Sequence, residues 1–432
     1  MRHPPRALLA ATAVLGGLGG MALTVPSAAV ASVPSSAAGT DCEVGRTQYV
    51  GQSSYAISSL GIPQSWSLAT GKGVTVAVVD SGVDPGNAHL KGAVLPGTSF
   101  VPGPPTQDLL GHGTGVAGIV AARYVRGSAL IGAAPSAKIL PVRVFQDEDT
   151  TGSRPVAFPP DTARMAEGIA WAVRHGADVI NVSMSTRPSD DAVPQLKAAL
   201  DLARRKDVVV VASGGNQVED SPFTQVRYPA GGAGVVGVAA SGATGEVDNW
   251  SIHGRQNDVS APGANVLIAF HADGDCLAGQ DHAYTSWATG FVSGLAAQLR
   301  EKFPHESADQ IAYRIMASAD RARMSERDDV QGWGEIRPYA ALTMSLDPTR
   351  PGPPVPGAAK EPPAPAPHAQ VAPLAATTDP LAPARVRAMW WGLGAAGLCA
   401  LALVLRPWLG RLTAPRRTAR ASRGRRRRSS AV

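Results

Sequence analysis

Cysteine is scarce in this 432-residue chain, which contains only Cys42, Cys276 and Cys399. Three cysteines permit at most one disulfide bond within the chain. None of them lies where a lipoprotein signal would need it. Histidine, cysteine and acidic residues form no cluster with metal-ligand spacing, so we expect no metal and no cofactor. Structural calcium at the acidic run 147–149 stays open as an alternative, although a solvated loop is the simpler interpretation.

Acidic residues are absent from the last segment of the chain, residues 406–432. Of the 40 Lys and Arg in the chain, ten arginines lie in this tail, which leaves 30 against 34 Asp and Glu elsewhere. The sequence pI of about 9.4 therefore reflects the tail. A basic tail of this kind indicates contact with anionic lipid headgroups more simply than contact with nucleic acid. We predict no nucleic-acid partner.

An uncharged apolar run at 388–405 is about as long as a membrane-spanning helix. Trp390, Trp391 and Trp408 lie near its ends, as in the aromatic belts of membrane interfaces. A buried core helix is the alternative, but the arginine-rich residues 406–432 that follow argue against it. The positive-inside rule places this tail in the cytoplasm and the preceding domain outside.

Two further segments have the composition of targeting and spacer sequences. Arg2 and Arg6 precede an apolar stretch, and small residues follow at 29–31, so residues 1–31 have the pattern of a secretory signal peptide. Residues 346–387 are rich in proline and alanine, which favours a semi-extended linker between domain and membrane. We therefore expect a single-pass cell-membrane protein whose domain lies outside the cytoplasm.

The central segment, residues 60–345, has the pattern of an α/β domain. Strand-like apolar runs alternate with helical patterns, which predicts a mainly parallel, doubly wound sheet with helices on both faces. The strand-like runs lie at 74–80, 138–144, 177–182, 207–213 and 235–240. The helical patterns lie at about 113–123, 161–175, 192–205 and 286–302.

Asp80, His112 and Ser286 each occupy a short motif at the end of a predicted strand or the start of a predicted helix. Asp80 ends VTVAVVD, His112 lies in GHGTG, and Ser286 lies in YTSWATG. A serine hydroxyl attacks an amide only when an imidazole acts as base and a carboxylate orients that imidazole. These residues supply the three groups in the order Asp, His, Ser, and their motifs resemble those of the subtilase family of serine endopeptidases.

The resemblance implies further site residues in the same domain. DVVVVASGGNQ at 207–217 resembles the subtilase segment that carries the oxyanion-hole asparagine, here Asn216. Its amide and the backbone N–H of Ser286 would donate hydrogen bonds to the oxyanion. A protein or peptide substrate would pair with the end of the strand at 177–182 and face an opposite wall. The implied substrate-binding residues are Ser183, Met184, Ser185 and Gly215.

Three residues depart from the usual subtilase pattern. Tyr284 stands where the family has a glycine close to bound substrate. Gly290 replaces a proline that stiffens the start of the helix. Gly115 stands where many family members have a second histidine. None of these changes removes a catalytic group.

Other histidines compete with His112 for a role. His282 lies one helical turn before Ser286 but lacks the flanking glycines of His112. His89, in DPGNAHLKG, is expected to cap a loop, as are the remaining histidines. We therefore assign the general base to His112.

The order of segments also resembles a more specific group. Signal peptide, short extension with a cysteine, subtilase domain, linker, membrane helix and basic tail are the segments of mycosins, the membrane-anchored proteases of actinobacterial type VII secretion systems. This resemblance implies limited cleavage of exported proteins and association with secretion-system membrane proteins.

The extension, residues 32–59, is far shorter than the folding propeptide of most secreted subtilases. Either folding needs no such propeptide, or the extension is a permanent strap around the domain, which we favour. Cys42 and Cys276 both lie outside the cytoplasm in this topology, so they could form one disulfide near Ser286. Cys399 would stay free within the membrane segment.

Three functions remain open at this point. The first is a protease that processes a few exported proteins. The second is a general cell-surface subtilase that degrades unrelated substrates. The third is a catalytically weak structural component of a secretion complex, which Tyr284 and Gly290 keep under consideration.

Overall fold

The computed structural model describes residues 41–146, 158–187, 192–217, 226–357 and 381–412. The chain divides into two compact units, Met1–Ala358 and Ala359–Val432. The predicted signal peptide, the acidic run at 147–149, much of the linker and most of the basic tail lie outside the described residues.

A seven-stranded sheet runs through the first unit in the order β2-β3-β1-β4-β5-β6-β7. Every neighbouring pair in this sheet is parallel, and β8 and β9 form a separate antiparallel pair. The strands are β1 Thr75–Asp80, β2 Thr98–Ser99, β3 Lys138–Arg143, β4 Val179–Val182, β5 Val209–Ser213, β6 Val235–Ser241, β7 Val259–Pro262, β8 Val266–Ala269 and β9 Asp275–Ala278.

Helices cover both faces of the sheet. The α-helices of the first unit are α1 Tyr55–Ser59, α2 Ile62–Ser65, α3 His112–Ala121, α4 Thr162–Arg174, α5 Val193–Arg205, α6 Thr285–Lys302, α7 Ala308–Ser318 and α8 Pro338–Thr343. A short 3₁₀ helix spans Ala88–Leu90. The second unit contains α9 Ala382–Leu412.

Successive side chains of β1 lie alternately in two layers of the hydrophobic core, one on each face of the sheet. Val76 and Val78 are buried in the layer that contains α3 and α6, whereas Ala77 and Val79 are buried in the layer with α4 and α5. Successive side chains of a strand point to opposite faces, so an apolar run such as TVAVV requires helices on both faces. The predicted doubly wound α/β fold is confirmed.

The strand order brings the candidate residues to one edge of the sheet. The chain builds β2 and β3 on one side of β1 and then β4 to β7 on the other side. The order of addition thus reverses direction at β1. Open α/β sheets bind ligands at the carboxyl ends of the strands where the strand order reverses. Asp80 ends β1, Ser183 follows β4, and Asn216 follows β5, so all three lie at this edge.

The extension lies along β9. Gln48 N–H donates to Asp273 O at 3.0 Å, and Asp275 N–H donates to Gln48 O at 3.0 Å. Val50 N–H donates to Asp275 Oδ1 at 2.7 Å, and Val50 is buried. Residues 41–50 are thus paired with the domain through backbone and side-chain hydrogen bonds, as a strap would be.

Cys42 and Cys276 form a disulfide with an S–S distance of 2.00 Å. The two residues are 234 positions apart in the sequence. The bond therefore links the extension to β9 and closes a very long loop.

The expectation that His89 caps a loop is wrong. Its side chain is fully buried, with Nε2 2.9 Å from Asp275 Oδ2 and Nδ1 2.8 Å from Arg123 O. Asp275 also accepts the Val50 N–H, so His89 supports the carboxylate that holds the extension. This contact joins positions 186 residues apart, which no local sequence pattern indicates.

Loss of the disulfide is expected to destabilise the first unit. The Cys42→Ser/Cys276→Ser double variant should lose about 2–5 kcal/mol of unfolding free energy, because a cross-link across a long loop restricts the unfolded chain. Thermal unfolding of the full-length chain in detergent, followed by circular dichroism, should show a midpoint several degrees lower. Cys399→Ser is the matched control because that thiol is free. An unchanged midpoint in the double variant would contradict the expectation.

The second unit consists of one long helix in its described part. Within α9, the segment Pro383–Arg406 has 24 residues, and an 18-residue window within it has a mean hydropathy of 1.9, so the helix is long and apolar enough to cross a membrane. Its side chains are exposed, unlike those of a core helix. The segment includes the predicted span at 388–405.

Candidate active site

The carboxylate of Asp80 holds the imidazole of His112. His112 Nδ1 lies 2.7 Å from Asp80 Oδ1, and the same oxygen accepts the Ser81 N–H at 2.7 Å. Asp80 is fully buried, whereas the His112 side chain is 19% exposed. A carboxylate that accepts a hydrogen bond from Nδ1–H keeps the proton of a neutral imidazole on Nδ1 and leaves Nε2 unprotonated. This arrangement is the one a general base requires.

Asp108 fixes the start of α3, and the sequence analysis did not identify it. Its Oδ1 accepts hydrogen bonds from Ser81 Oγ at 2.8 Å and from Gly111 N at 3.0 Å. Its Oδ2 accepts from Thr114 N at 2.8 Å and from Thr114 Oγ1 at 2.6 Å. Burial raises the pKa of Asp108, and the hydrogen bonds from Thr114 and Ser81 oppose that shift.

These contacts satisfy donors that the first turn of a helix leaves unpaired. Asp108 accepts from the third residue of α3, and Ser81 Oγ accepts from Gly113 N at 3.0 Å. Because Ser81 follows Asp80 directly, one network fixes both partners of the Asp80–His112 pair. An aspartate three residues before a glycine that opens a helix was the available sequence signal.

Arg143 provides a buried cation next to this network. It lies opposite Asp80 in the register of β1 and β3, and its side chain is fully buried. Its Nε donates to Ser81 O at 3.0 Å and its Nη1 donates to Pro102 O at 2.8 Å. The guanidinium thereby ties the turn after β1 to the loop after β2.

Ser286 lies in the first turn of α6, where a backbone N–H has no partner within the helix. It is 6% exposed and lines the same cavity as His112. The positive end of the helix dipole favours negative charge that develops beside it. The backbone O of Ser286 accepts from Ser183 Oγ at 3.1 Å, which fixes the first turn against the residue after β4.

Asn216 is oriented by Thr285. Its Oδ1 accepts from Thr285 N at 3.0 Å and from Thr285 Oγ1 at 2.9 Å. Because Oδ1 is used in this way, the amide NH₂ of Asn216 is the end of the side chain that can donate. Asn216 lines the cavity with Ser286, so its Nδ2 and the Ser286 N–H are suited to hold an oxyanion.

A cavity of about 670 Å³ contains the predicted cleft. Ser183, Met184 and Ser185 line one wall, together with Ser213 and Asn216 at the end of β5. Gly215 lies beside Ser185, and a Cβ there would be 2.7 Å from Ser185 Oγ. The absence of a side chain at that position therefore lets the two segments approach each other.

Tyr284 also lines this cavity, and its hydroxyl donates to Asp281 Oδ2 at 2.8 Å. Burial and this hydrogen bond raise the pKa of Tyr284 to about 12. His282 stacks on Trp250 with ring centroids 4.4 Å apart and does not line the cavity. His112 is thus the histidine that the fold brings to Ser286.

The two unusual glycines each make room for a neighbouring side chain. A Cβ at Gly115 would be 2.9 Å from the Trp287 ring, which itself lies against His112 with centroids 4.8 Å apart. A Cβ at Gly290 would be 2.9 Å from Ile119, where α6 crosses α3. Both departures from the family pattern are therefore accommodated by close packing.

No group of three or more His, Cys, Asp or Glu side chains within the described ranges is placed to hold a metal ion. The acidic run at 147–149 lies outside those ranges. The site described above can act through a hydroxyl, an imidazole, a carboxylate and amide donors.

Residues 71–334 match the Subtilase family model. Mycosin-1 of Mycobacterium tuberculosis is 34% identical over 331 residues, which cover 67% of this chain and 73% of the relative. The crystal structure of MycP1 from Mycobacterium smegmatis has a TM-score of 0.61 at 28% identity and covers 74% of this chain and 92% of its own. The structure of the MycP3 protease from the type VII (ESX-3) secretion system has a TM-score of 0.60 at 29% identity. The match covers 69% of this chain and 92% of the MycP3 chain. The chain belongs to the subtilase family and is a mycosin-like serine endopeptidase.

Proposed function

We propose that Ser286 is the nucleophile, His112 the general base and Asp80 the carboxylate that orients His112. The observation that carries this proposal is the 2.7 Å contact between His112 Nδ1 and Asp80 Oδ1, with His112 and Ser286 in one cavity. The hydrogen bonds of Asp108 and Ser81 support this contact, because they fix the turn after Asp80 and the first turn of α3.

With the residues in these positions, peptide hydrolysis has two stages, acylation of Ser286 and hydrolysis of the acyl-enzyme. His112 Nε2 takes the proton of Ser286 Oγ as the oxygen attacks the scissile carbonyl carbon. Asn216 Nδ2 and the Ser286 N–H donate to the oxyanion, and His112 then gives the proton to the leaving amine. In the second stage, His112 activates a water molecule, which releases the acyl group from Ser286.

The cavity supports an extended peptide as the substrate. Ser183, Met184 and Ser185 lie directly after β4, where an extended chain can add to the strand. None of the three carries a charge, so these residues offer no ionic partner to a charged substrate side chain. We assign these residues, with Gly215, to binding of the acyl side of the substrate.

A membrane-bound role in type VII secretion is the cellular function we propose. Two similar proteases, MycP1 and MycP3, belong to type VII secretion systems, and the helix α9 can cross a membrane. In this arrangement the catalytic domain lies outside the cytoplasm and the arginine-rich tail lies inside. The substrates are exported proteins that reach the cell surface close to the membrane.

A fluorophosphonate–biotin probe tests the catalytic and membrane assignments together. In cells that express the full chain, we expect the probe to modify Ser286, as identified by mass spectrometry, and the labelled chain to stay with carbonate-washed membranes. Ser286→Ala should lose the label, whereas Ser58→Ala, an exposed serine of α1, should keep it. A chain that ends before α9 should be labelled but leave the membrane fraction.

Two outcomes would contradict the proposal. Absence of label in folded wild-type chain would remove Ser286 as an activated nucleophile. Normal secretion in a Ser286→Ala strain, together with failed secretion in a deletion strain, would replace the processing role by a structural one.

A further inference from the structure

A second cavity of about 290 Å³ adjoins the candidate active site, and the proposed mechanism does not use it. Its walls include the side chains of Leu110, Ile268, Phe270 and Trp287, together with His112 and Cys42. We call it the extension pocket because Cys42 belongs to the extension.

The position of the extension pocket relative to His112 identifies the part of the substrate that it faces. It shares His112, Ala278 and Trp287 with the large cavity. It contains none of the acyl-side residues 183–185 and does not include Asn216. His112 delivers its proton to the leaving amine, so a pocket that includes His112 but none of the acyl-side residues fits the residues that follow the scissile bond.

The chemistry of the extension pocket is apolar. Leu110, Ile268 and Phe270 supply aliphatic and aromatic carbon, and Trp287 packs against the His112 ring at 4.8 Å. No acidic or lysine or arginine side chain is among the described residues that line it. A charged side chain would lose hydration there without a partner, whereas an apolar side chain would be removed from water.

The extension completes this pocket and is held there by independent contacts. Cys42 is bonded to Cys276 of β9. Gly45 N–H donates to Asp273 Oδ2 at 2.8 Å, and Gln280 Nε2 donates to Asp41 Oδ1 at 2.7 Å. The wall formed by Cys42 is therefore fixed on both sides of the cysteine.

We propose that the extension pocket binds an apolar side chain of the substrate segment after the scissile bond and that Cys42 of the extension forms part of that specificity site. This inference rests on the proposed function, because it assigns the leaving-group side of the same catalytic centre. The extension thus acts in substrate selection as well as in stability.

Aminolysis of the acyl-enzyme measures the leaving-group side separately from the acyl side. The full-length chain in detergent is acylated on Ser286 with succinyl-Ala-Ala-Pro-Phe methyl ester, which releases methanol. An added amine then attacks the acyl carbonyl carbon, gives a proton to His112, and forms an amide as Ser286 Oγ leaves with a proton. The ratio of amide to free acid, read by mass spectrometry, compares each amine with water, so a general loss of activity cancels.

Amides of leucine, aspartate, arginine and glycine, and the corresponding Gly-Xaa amides, probe the first two residues after the scissile bond. We expect the leucine compound to be preferred over the aspartate compound by roughly tenfold in one of the two series. Leu110→Asp should abolish this preference and raise the ratio for the arginine compound. Cys42→Ser/Cys276→Ser should weaken the leucine preference, and Cys399→Ser should keep it.

Leu109→Asp is the matched control, because Leu109 is 52% exposed and does not line the extension pocket. Equal partitioning among all amines by a wild-type chain that turns over the ester would overturn the inference. Equal responses of Leu110→Asp and Leu109→Asp would overturn it as well. Absence of ester turnover by folded wild-type chain would overturn the proposed function itself and this inference with it.

Discussion

Replacing Ser286 by alanine is expected to lower kcat for peptide hydrolysis by about 10⁶-fold, the loss found when a subtilase nucleophile is removed. The variant keeps the amide donors and the substrate cavity but has no oxygen that can form an acyl-enzyme. Loss of the His112 imidazole should have a similar effect, because the Ser286 hydroxyl then has no base. The fold should be retained in both variants, because neither side chain belongs to the hydrophobic core.

The triad should also behave as one unit. The Ser286→Ala/His112→Ala double variant should be no slower than either single variant, since each change alone already disables the same step. Asp80→Asn should be less damaging, with a loss of about 10⁴-fold, because the imidazole remains in place but the amide NH₂ donates to Nδ1 and favours the tautomer protonated at Nε2. Turnover of a quenched fluorescent peptide by the full chain measures all four, with Ser58→Ala as control. Additive losses in the double variant would contradict a shared mechanism.

Changing Asn216 is expected to have the next largest effect. The Asn216→Asp variant should lose about 10²–10³-fold in kcat with little change in KM, because an oxyanion-hole donor acts mainly in the transition state. The aspartate can still accept the two hydrogen bonds from Thr285, so the start of α6 is kept. It cannot donate when ionised, and its charge repels the oxyanion.

Thr285→Val separates orientation from donation. This variant keeps the carboxamide of Asn216 and its bond from the Thr285 N–H but removes the hydroxyl donor. We expect a clearly smaller loss in kcat than for Asn216→Asp. Equal losses, or a rise in KM that accounts for the Asn216→Asp effect, would assign Asn216 to substrate binding instead.

The sheet and the principal motifs were predictable because they depend on local patterns. TVAVVD predicts both a strand buried on two faces and the position of Asp80 at its carboxyl end. The short strands β2, β7, β8 and β9 were not predicted, since a strand of four residues or fewer shows too little periodicity by itself. The equally short β4 was predicted because it belongs to the longer apolar run at 177–182.

Contacts between distant segments set the limit of the sequence analysis. Asp108 was missed because its four hydrogen bonds depend on the turn after β1 and on the start of α3 together. His89 was misplaced because its partner, Asp275, is distant in sequence. Gly290 suggested a weakened helix start, whereas the structure has Ile119 in the space that a side chain there would need.

The contact between Gly115 and Trp287 makes the two positions an epistatic pair. A histidine at position 115, as in many subtilases, would collide with the indole ring that lies 2.9 Å from the Cβ position. A smaller residue at 287 would accept that histidine but would leave His112 without its ring contact. On this backbone we therefore expect substitution at 287 to precede substitution at 115, because the indole ring would otherwise have to shift.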